Sequence, residues 1–191
     1  MHLTYLSMDA LEAGLDEIER SPSDAGVLEL IVRRPRSNER EVLNVGELDR
    51  VDGLVGDSWK HRGSTRTPDG GPDPSSQLTL MSSRVVALVA RDKDRWPLAG
   101  DQLFVDLDLS AGNLPPGTRL ALGAAVIEVT AQPHNGCRKF VERFGVDAMT
   151  FVNAPERRHL NLRGIYAKVV RPGAIRVGDV ARKMATTDAQ A

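Results

Sequence analysis

From Gln102 onward the chain is divided into short apolar runs at near-regular intervals, and this cadence restricts the fold more than any other feature. The runs lie at 102–107, 119–122, 125–130, 165–170 and 174–177, each four to six residues long. Turn formers punctuate them: Pro115-Pro116-Gly117, Leu122-Gly123, Arg171-Pro172-Gly173 and Val177-Gly178-Asp179. Glycine supplies positive φ and proline presets its own, so each cluster reverses the chain. Short strands spaced roughly 8–12 residues apart fit a barrel or closed sheet, not alternating βαβ units.

Upstream, 27–32 (VLELIV) reads as a buried strand closed by Arg33-Arg34-Pro35, with further strands at 42–45 and 77–81. A short helix follows over 83–91, opened by Ser82 or Ser83. At 9–20, Leu11, Leu15 and Ile18 recur at helical spacing, with Asp9 as N-cap and Glu12 three positions on. Between 136 and 153, Phe140, Val141, Phe144 and Met149 mark a helical insertion in the β framework. The predicted fold is therefore mostly β and barrel-like, with a few short peripheral helices. It comprises an N-terminal helical segment (1–26), the barrel domain (27–183) and a frayed tail (184–191). Residues 52–76 are rich in Gly, Pro, Asp and Ser and form a long loop; loops beyond about 15 residues in a compact domain are usually functional or disordered.

A length of 191 residues, with 41% hydrophobic and 27% charged, suits one globular domain. A formal net charge of −1 argues against whole-chain attraction to nucleic acid or an anionic membrane. No apolar run approaches the roughly 20 residues of a membrane span, and the N-terminus lacks a signal-peptide pattern. The expectation is a cytoplasmic protein. A lone cysteine, Cys137, excludes an intramolecular disulfide framework and multi-cysteine zinc or iron–sulfur sites. No Walker loop, GxGxxG, HExxH or EF-hand pattern is present. The charge is uneven: residues 1–137 hold 14 Lys/Arg against 21 Asp/Glu, while 138–183 hold 11 against 4. Basic charge thus gathers just after the cysteine, either as one basic face or as an anion-binding surface beside Cys137.

The segment leading to Cys137 explains why that residue draws attention. A strand runs to Thr130, Pro133 halts it, Asn135-Gly136 turns, and a helix starts close to Cys137. A thiol at a helix start, flanked by Arg138 and Lys139, is biased toward thiolate, the form that binds metals and attacks electrophiles. Most lone cysteines are small buried hydrophobes, but the polar flanks here point to exposure. His134, three residues earlier, is a candidate base, hydrogen-bond partner or orienter. The pairs Gly56-Asp57, Gly100-Asp101 and Gly178-Asp179 read as turns with Asp caps, and Trp59 and Trp96 as packing residues.

Several ordered elements carry a resemblance. Gly112-Asn113-Leu114, Leu120-x-Leu-Gly123-x-Ala-Val-Ile-Glu128-Val-Thr130, Pro133-x-x-x-Cys137 and Arg163-Gly164-Ile-Tyr-Ala-x-Val-Val-x-x-Gly173-x-Ile-x-x-Gly178-Asp179 together resemble the MOSC domain. That domain is found at the C-terminus of molybdenum cofactor sulfurases. Upstream, Gly53-Leu-Val-Gly56-Asp57-Ser-Trp-Lys-His61-x-Gly63 and Gln77-Leu-Thr-Leu are similar to the family's earlier segment, so the likeness spans 27 to 183. It implies a mostly β, barrel-like fold and a molybdopterin cofactor, with Cys137 as molybdenum ligand or sulfur-bearing thiol. Stand-alone bacterial members include molybdenum-dependent reductases of N-hydroxylated compounds. Asn113 matches the family's Glu-Asn segment, with Gly112 where the acid stands, and His61-Arg62-Gly63 replaces a histidine–double-glycine element; these departures bear on substrate chemistry more than on fold.

For the cofactor's phosphate, Arg138, Lys139, Arg157, Arg158, His159 and Arg163 are the candidates, Arg163 first because it opens a strand beside Gly164. Pyridoxal phosphate enters only by family association, because the chain has no pyridoxal-lysine domain. A cysteine-desulfurase-type sulfur donor or an electron-transfer protein is then a separate partner. Two other classes compete: a metal-free thiol enzyme using Cys137 and His134, and a binding module that keeps the fold without chemistry.

Overall fold

The computed structural model describes residues 5–185. Its longest strand, β1 (Ala25–Arg33), is apolar on both faces over residues 30–32, where both faces are covered. Leu28 and Ile31 point into the core of a barrel, while Leu30 and Val32 pack under helices on its outside. The other strands of that sheet are β2 (Glu41–Leu43), β5 (Leu78–Ser82), β6 (Leu103–Val105), β7 (Arg119–Leu122), β8 (Ala125–Val129), β9 (Ile165–Arg171) and β11 (Val180–Lys183). They run in the order β11-β7-β8-β9-β5-β6-β1-β2. Pairing of β1 with β11, Val27 opposite Val180, closes seven of them into a barrel and leaves β2 outside. A second sheet orders β10 (Gly173–Arg176), β3 (Val45–Asp49) and β4 (Gly53–Leu54).

Among the described residues only β5 and β6 run parallel, and parallel neighbours need a crossover. Helix α3 (Ser83–Ala90) and a 3₁₀ turn at Lys93–Ala99 provide it, burying Val85, Val86, Val89 and Trp96. Helices α1 (Met8–Ala13), α2 (Leu15–Glu19), α4 (Arg138–Phe144) and α5 (Val146–Asn153) share this outer core through Leu11, Ile18, Phe140, Phe144 and Phe151.

Several expectations needed revision. The helix expected over 9–20 is broken at Gly14 into α1 and α2, and its N-cap is Ser7, whose Oγ accepts from Ala10 N–H at 3.4 Å, not Asp9. The insertion over 136–153 is likewise two helices, parted at Gly145 with φ +90°. The run at 42–45 divides between two sheets, β2 and β3. Strand β11 was unforeseen because it buries a single apolar side chain, Ala181, among Val180, Arg182 and Lys183. Residues 186–191 of the expected tail lie outside the described residues. Among the described residues no helix is long and apolar enough to cross a membrane.

Candidate functional site

Two buried ion pairs build the floor of the site. The Asp57 carboxylate accepts from Arg34 Nε at 2.9 Å and Nη2 at 3.0 Å, from the Arg34 backbone N–H at 2.9 Å and from Trp59 N–H at 2.9 Å. Asp101, where the crossover re-enters the barrel, accepts from Arg163 Nη1 at 2.7 Å. Burial pushes the Asp101 carboxyl up, against the pull of Arg163. Arg163 also donates to the Ala99 carbonyl at 3.0 Å and lies over the Phe140 ring at 5.1 Å. The next residue, Gly164, has φ +104°, and a Cβ there would overlap the Leu80 carbonyl; only glycine allows Arg163 this entry into β9.

Above this floor opens a pocket of about 690 Å³. The connection from β1 to β2 lends it Arg34 and Arg40, the long loop lends Trp59, His61, Arg62 and Arg66, and α4 lends Lys139, Phe140 and Arg143. Cys137 stands at its rim as the exposed N-cap of α4, and its side chain makes no capping bond. Asp57 and Asp101 neutralise Arg34 and Arg163, and Asp73 comes within 3.9 Å of Arg66. Arg40, Arg62, Lys139 and Arg143 have no carboxylate partner among the described residues. Burial, with the positive charges of Arg143, Arg34 and Arg62, pushes Arg40 down to about 10. Crowded cations of this kind favour a bound anion.

His134 is the neutral member. Its side chain is only 7% exposed, its Nδ1 lies 3.6 Å from Asp101 Oδ1, and its ring packs 4.4 Å from that of Tyr166. Burial first, then Arg163 and Arg34, hold its pKa well below the ordinary 6.5. The unfolded chain therefore takes up a proton here as pH falls through 6.5 while the folded chain does not, and stability drops with pH. Denaturant titrations are expected to show this group costing up to about 1.4 kcal/mol per pH unit below that point. His134→Phe, which keeps the ring against Tyr166, should flatten the slope; identical slopes in parent and variant would refute the assignment.

Of the residues singled out from sequence, Cys137, His134, Lys139, Arg163 and His61 do meet at this pocket. Arg138 does not: it pairs with Glu142 at 3.1 Å with its side chain 92% exposed. Asn113 is also outside, donating to the Ser23 and Asp108 carbonyls and accepting from Lys183 Nζ, each at 2.8 Å. It clamps three segments of the fold. Arg157, Arg158 and His159 sit on a 3₁₀ turn at Pro155–Leu160 that does not line the pocket, and Arg157 binds Glu12. Arg34, Arg40, Arg62, Arg66, Arg143 and Tyr166 were missed. The available signal was the cluster of four arginines at 33–40, directly after a buried strand and ahead of the long loop.

Across residues 72–182 the sequence matches the family model described as MOSC domain. The chain belongs to the MOSC domain family. The fold of this MOSC domain is shared with the YuaD protein of Bacillus subtilis, at 19% identity, TM-score 0.59, over 84% of this chain and 97% of that one. It is shared also with YiiM of Escherichia coli, at 18% identity and TM-score 0.52, over 83% of this chain and 70% of that one. No curated protein matches the sequence. Among the described residues of the MOSC domain, no three or more His, Cys, Asp or Glu side chains are grouped to hold a metal ion.

Proposed function

We propose that this MOSC domain binds a phosphate-bearing molybdenum cofactor, with the Cys137 sulfur as its ligand to the metal. One observation carries the reading: an exposed thiol and four cations that lack carboxylate partners among the described residues line the same pocket. The donor set suits the group. A sulfur ligand fits a soft metal, and arginines with free N–H donors fit a phosphate. The described residues provide no multi-ligand metal cluster, which favours a metal that arrives with donors of its own. When bound, such a cofactor supplies a redox-active metal centre held largely by its own sulfur atoms.

The protein's share of the work is binding, orientation and exclusion of water. Arg40 and Arg143 attract the anionic end, Trp59 and Phe140 give the pocket apolar wall, and Cys137 stands at the mouth where a metal or a sulfur atom is reached from solvent. His134, kept neutral, lines the pocket without adding charge. Two uses of the same sulfur fit this reading: reduction of an N-hydroxylated compound, with electrons from a separate protein, and carriage of sulfur received from a separate desulfurase-type donor. A metal-free thiol enzyme fits less well, because the burial and cationic neighbours that depress His134 make it a weak base toward Cys137.

Protein made in molybdenum-replete cells is expected to retain molybdenum on elemental analysis, or sulfur released by cyanide. Cys137→Ala should lower that content about tenfold or more, since loss of even an outer-shell partner weakens metal binding about 10–100-fold. Equal content in parent and variant would reject the ligand role.

A further inference from the structure

The 3₁₀ turn at Lys93–Ala99 ends in an arrangement that a single phosphate does not require. Four successive carbonyls each accept from a different arginine: Pro97 from Arg40 Nε at 3.2 Å, Leu98 from Arg143 Nη1 at 2.7 Å, Ala99 from Arg163 Nη2 at 3.0 Å and Gly100 from Arg34 Nη1 at 2.9 Å. The arginines come from the β1–β2 connection, from α4 and from the entrance to β9, and all four line the pocket. A helix C-terminus gathers cations because its unpaired carbonyls form the negative end of the dipole. Here each carbonyl fixes one guanidinium, so the fan is ordered before any ligand arrives.

Among the described residues, carboxylates pair with two members of the fan, Arg34 through Asp57 and Arg163 through Asp101. The other two converge over Gly100. A Cβ placed on that glycine, which has φ +92°, would stand 3.7 Å from Arg40 Nη2 and 3.9 Å from Arg143 Nη1. The missing side chain leaves room between two forks, and Arg62 and Lys139 add two more cations without carboxylate partners among the described residues. A phosphate monoester brings a charge of about −1.5 to −2, which leaves roughly half of this positive charge unanswered.

We infer that the ligand of this pocket carries a diphosphate, the Arg40–Arg143 fork over Gly100 holding one phosphoryl group while Arg62 and Lys139 supply charge for the second. The inference rests on the pocket's being the site of an anionic cofactor, but not on molybdenum. Metal-free protein is titrated calorimetrically with inorganic pyrophosphate and, separately, with orthophosphate. Pyrophosphate is expected to bind about tenfold tighter or more. Arg40→Gln and Arg143→Gln, each shown to be folded by its melting curve, should lose that preference, whereas Arg138→Gln, outside the pocket, should keep it. Guanosine diphosphate separates the two sources of such a group: tighter binding than pyrophosphate assigns a nucleotide-borne diphosphate, weaker binding an inorganic one, and both agree with the inference. Equal affinity for the two inorganic anions, binding of neither, or a preference that survives both substitutions overturns it. Cys137-dependent molybdenum without a pyrophosphate preference sinks this inference alone, and the reverse outcome sinks the cofactor reading alone.

Discussion

Asp57→Ala is expected to destabilise the protein by about 3–5 kcal/mol, the range found when one partner of a buried ion pair is removed. The carboxylate is fully buried and satisfies four donors, three of them on Arg34, whose own side chain is 8% exposed. Its loss leaves a guanidinium that is largely shielded from solvent without its counter-ion. At about 2–4 °C per kcal/mol for a domain of this size, the melting temperature should fall by about 6–20 °C. Asp57→Asn keeps the shape and some of the bonding and should cost less. A change of only a degree or two for the alanine variant would mean that solvent reaches Arg34 after all. The site suffers too, because Arg34 is fixed between Asp57 and the Gly100 carbonyl.

The second large effect concerns Asp101 and Arg163, whose side chains are 0% and 7% exposed. Asp101→Ala alone should again cost about 3–5 kcal/mol, by stranding the arginine. The double variant Asp101→Ala with Arg163→Met removes both charges and fills the space with an apolar chain already next to Met81 and Phe140. It should recover most of the loss in urea titrations, because the pair's attraction does little more than offset its own desolvation. A double variant no more stable than the single one would show that the arginine, not the pair, holds the entrance to β9.

The strands at 119–122, 125–130, 165–170 and 174–177 were legible to within about a residue at most ends, because each is bracketed by turn formers and shows one apolar face to the barrel or the second sheet. The turn reading of the Gly-Asp pairs holds for the glycines, with φ of +81°, +92° and +95° at Gly56, Gly100 and Gly178, and Asp57 and Asp179 cap local N–H groups, but Asp101 instead accepts from Arg163. What escaped notice is that Asp57 and Asp101 are also counter-ions to Arg34 and Arg163, 23 and 62 residues away in sequence. No local pattern encodes a partner at that distance. Charge asymmetry pointed to a basic face or an anion-binding surface beside Cys137, and a cationic pocket lies there. Much of its charge, however, comes from Arg34, Arg40, Arg62 and Arg66, in the half of the chain that is acidic overall. Cys137, His134 and Lys139 were found because they are neighbours in sequence; the arginine fan is created only by the crossover that brings 97–100 beneath α4 and the β1–β2 connection.

The closing of the barrel by β1 has a further consequence. Residues 25–66 hold both the strand that seals the cylinder against β11 and four of the arginines that give the pocket its charge, and all of them precede the stretch matched by the family model. Trimming the chain to the matched stretch would therefore unseal the cylinder and strip much of the pocket's positive charge in one cut. Substitutions in the loops at 34–40 and 62–66, by contrast, would alter the charge of the pocket while leaving the matched stretch untouched.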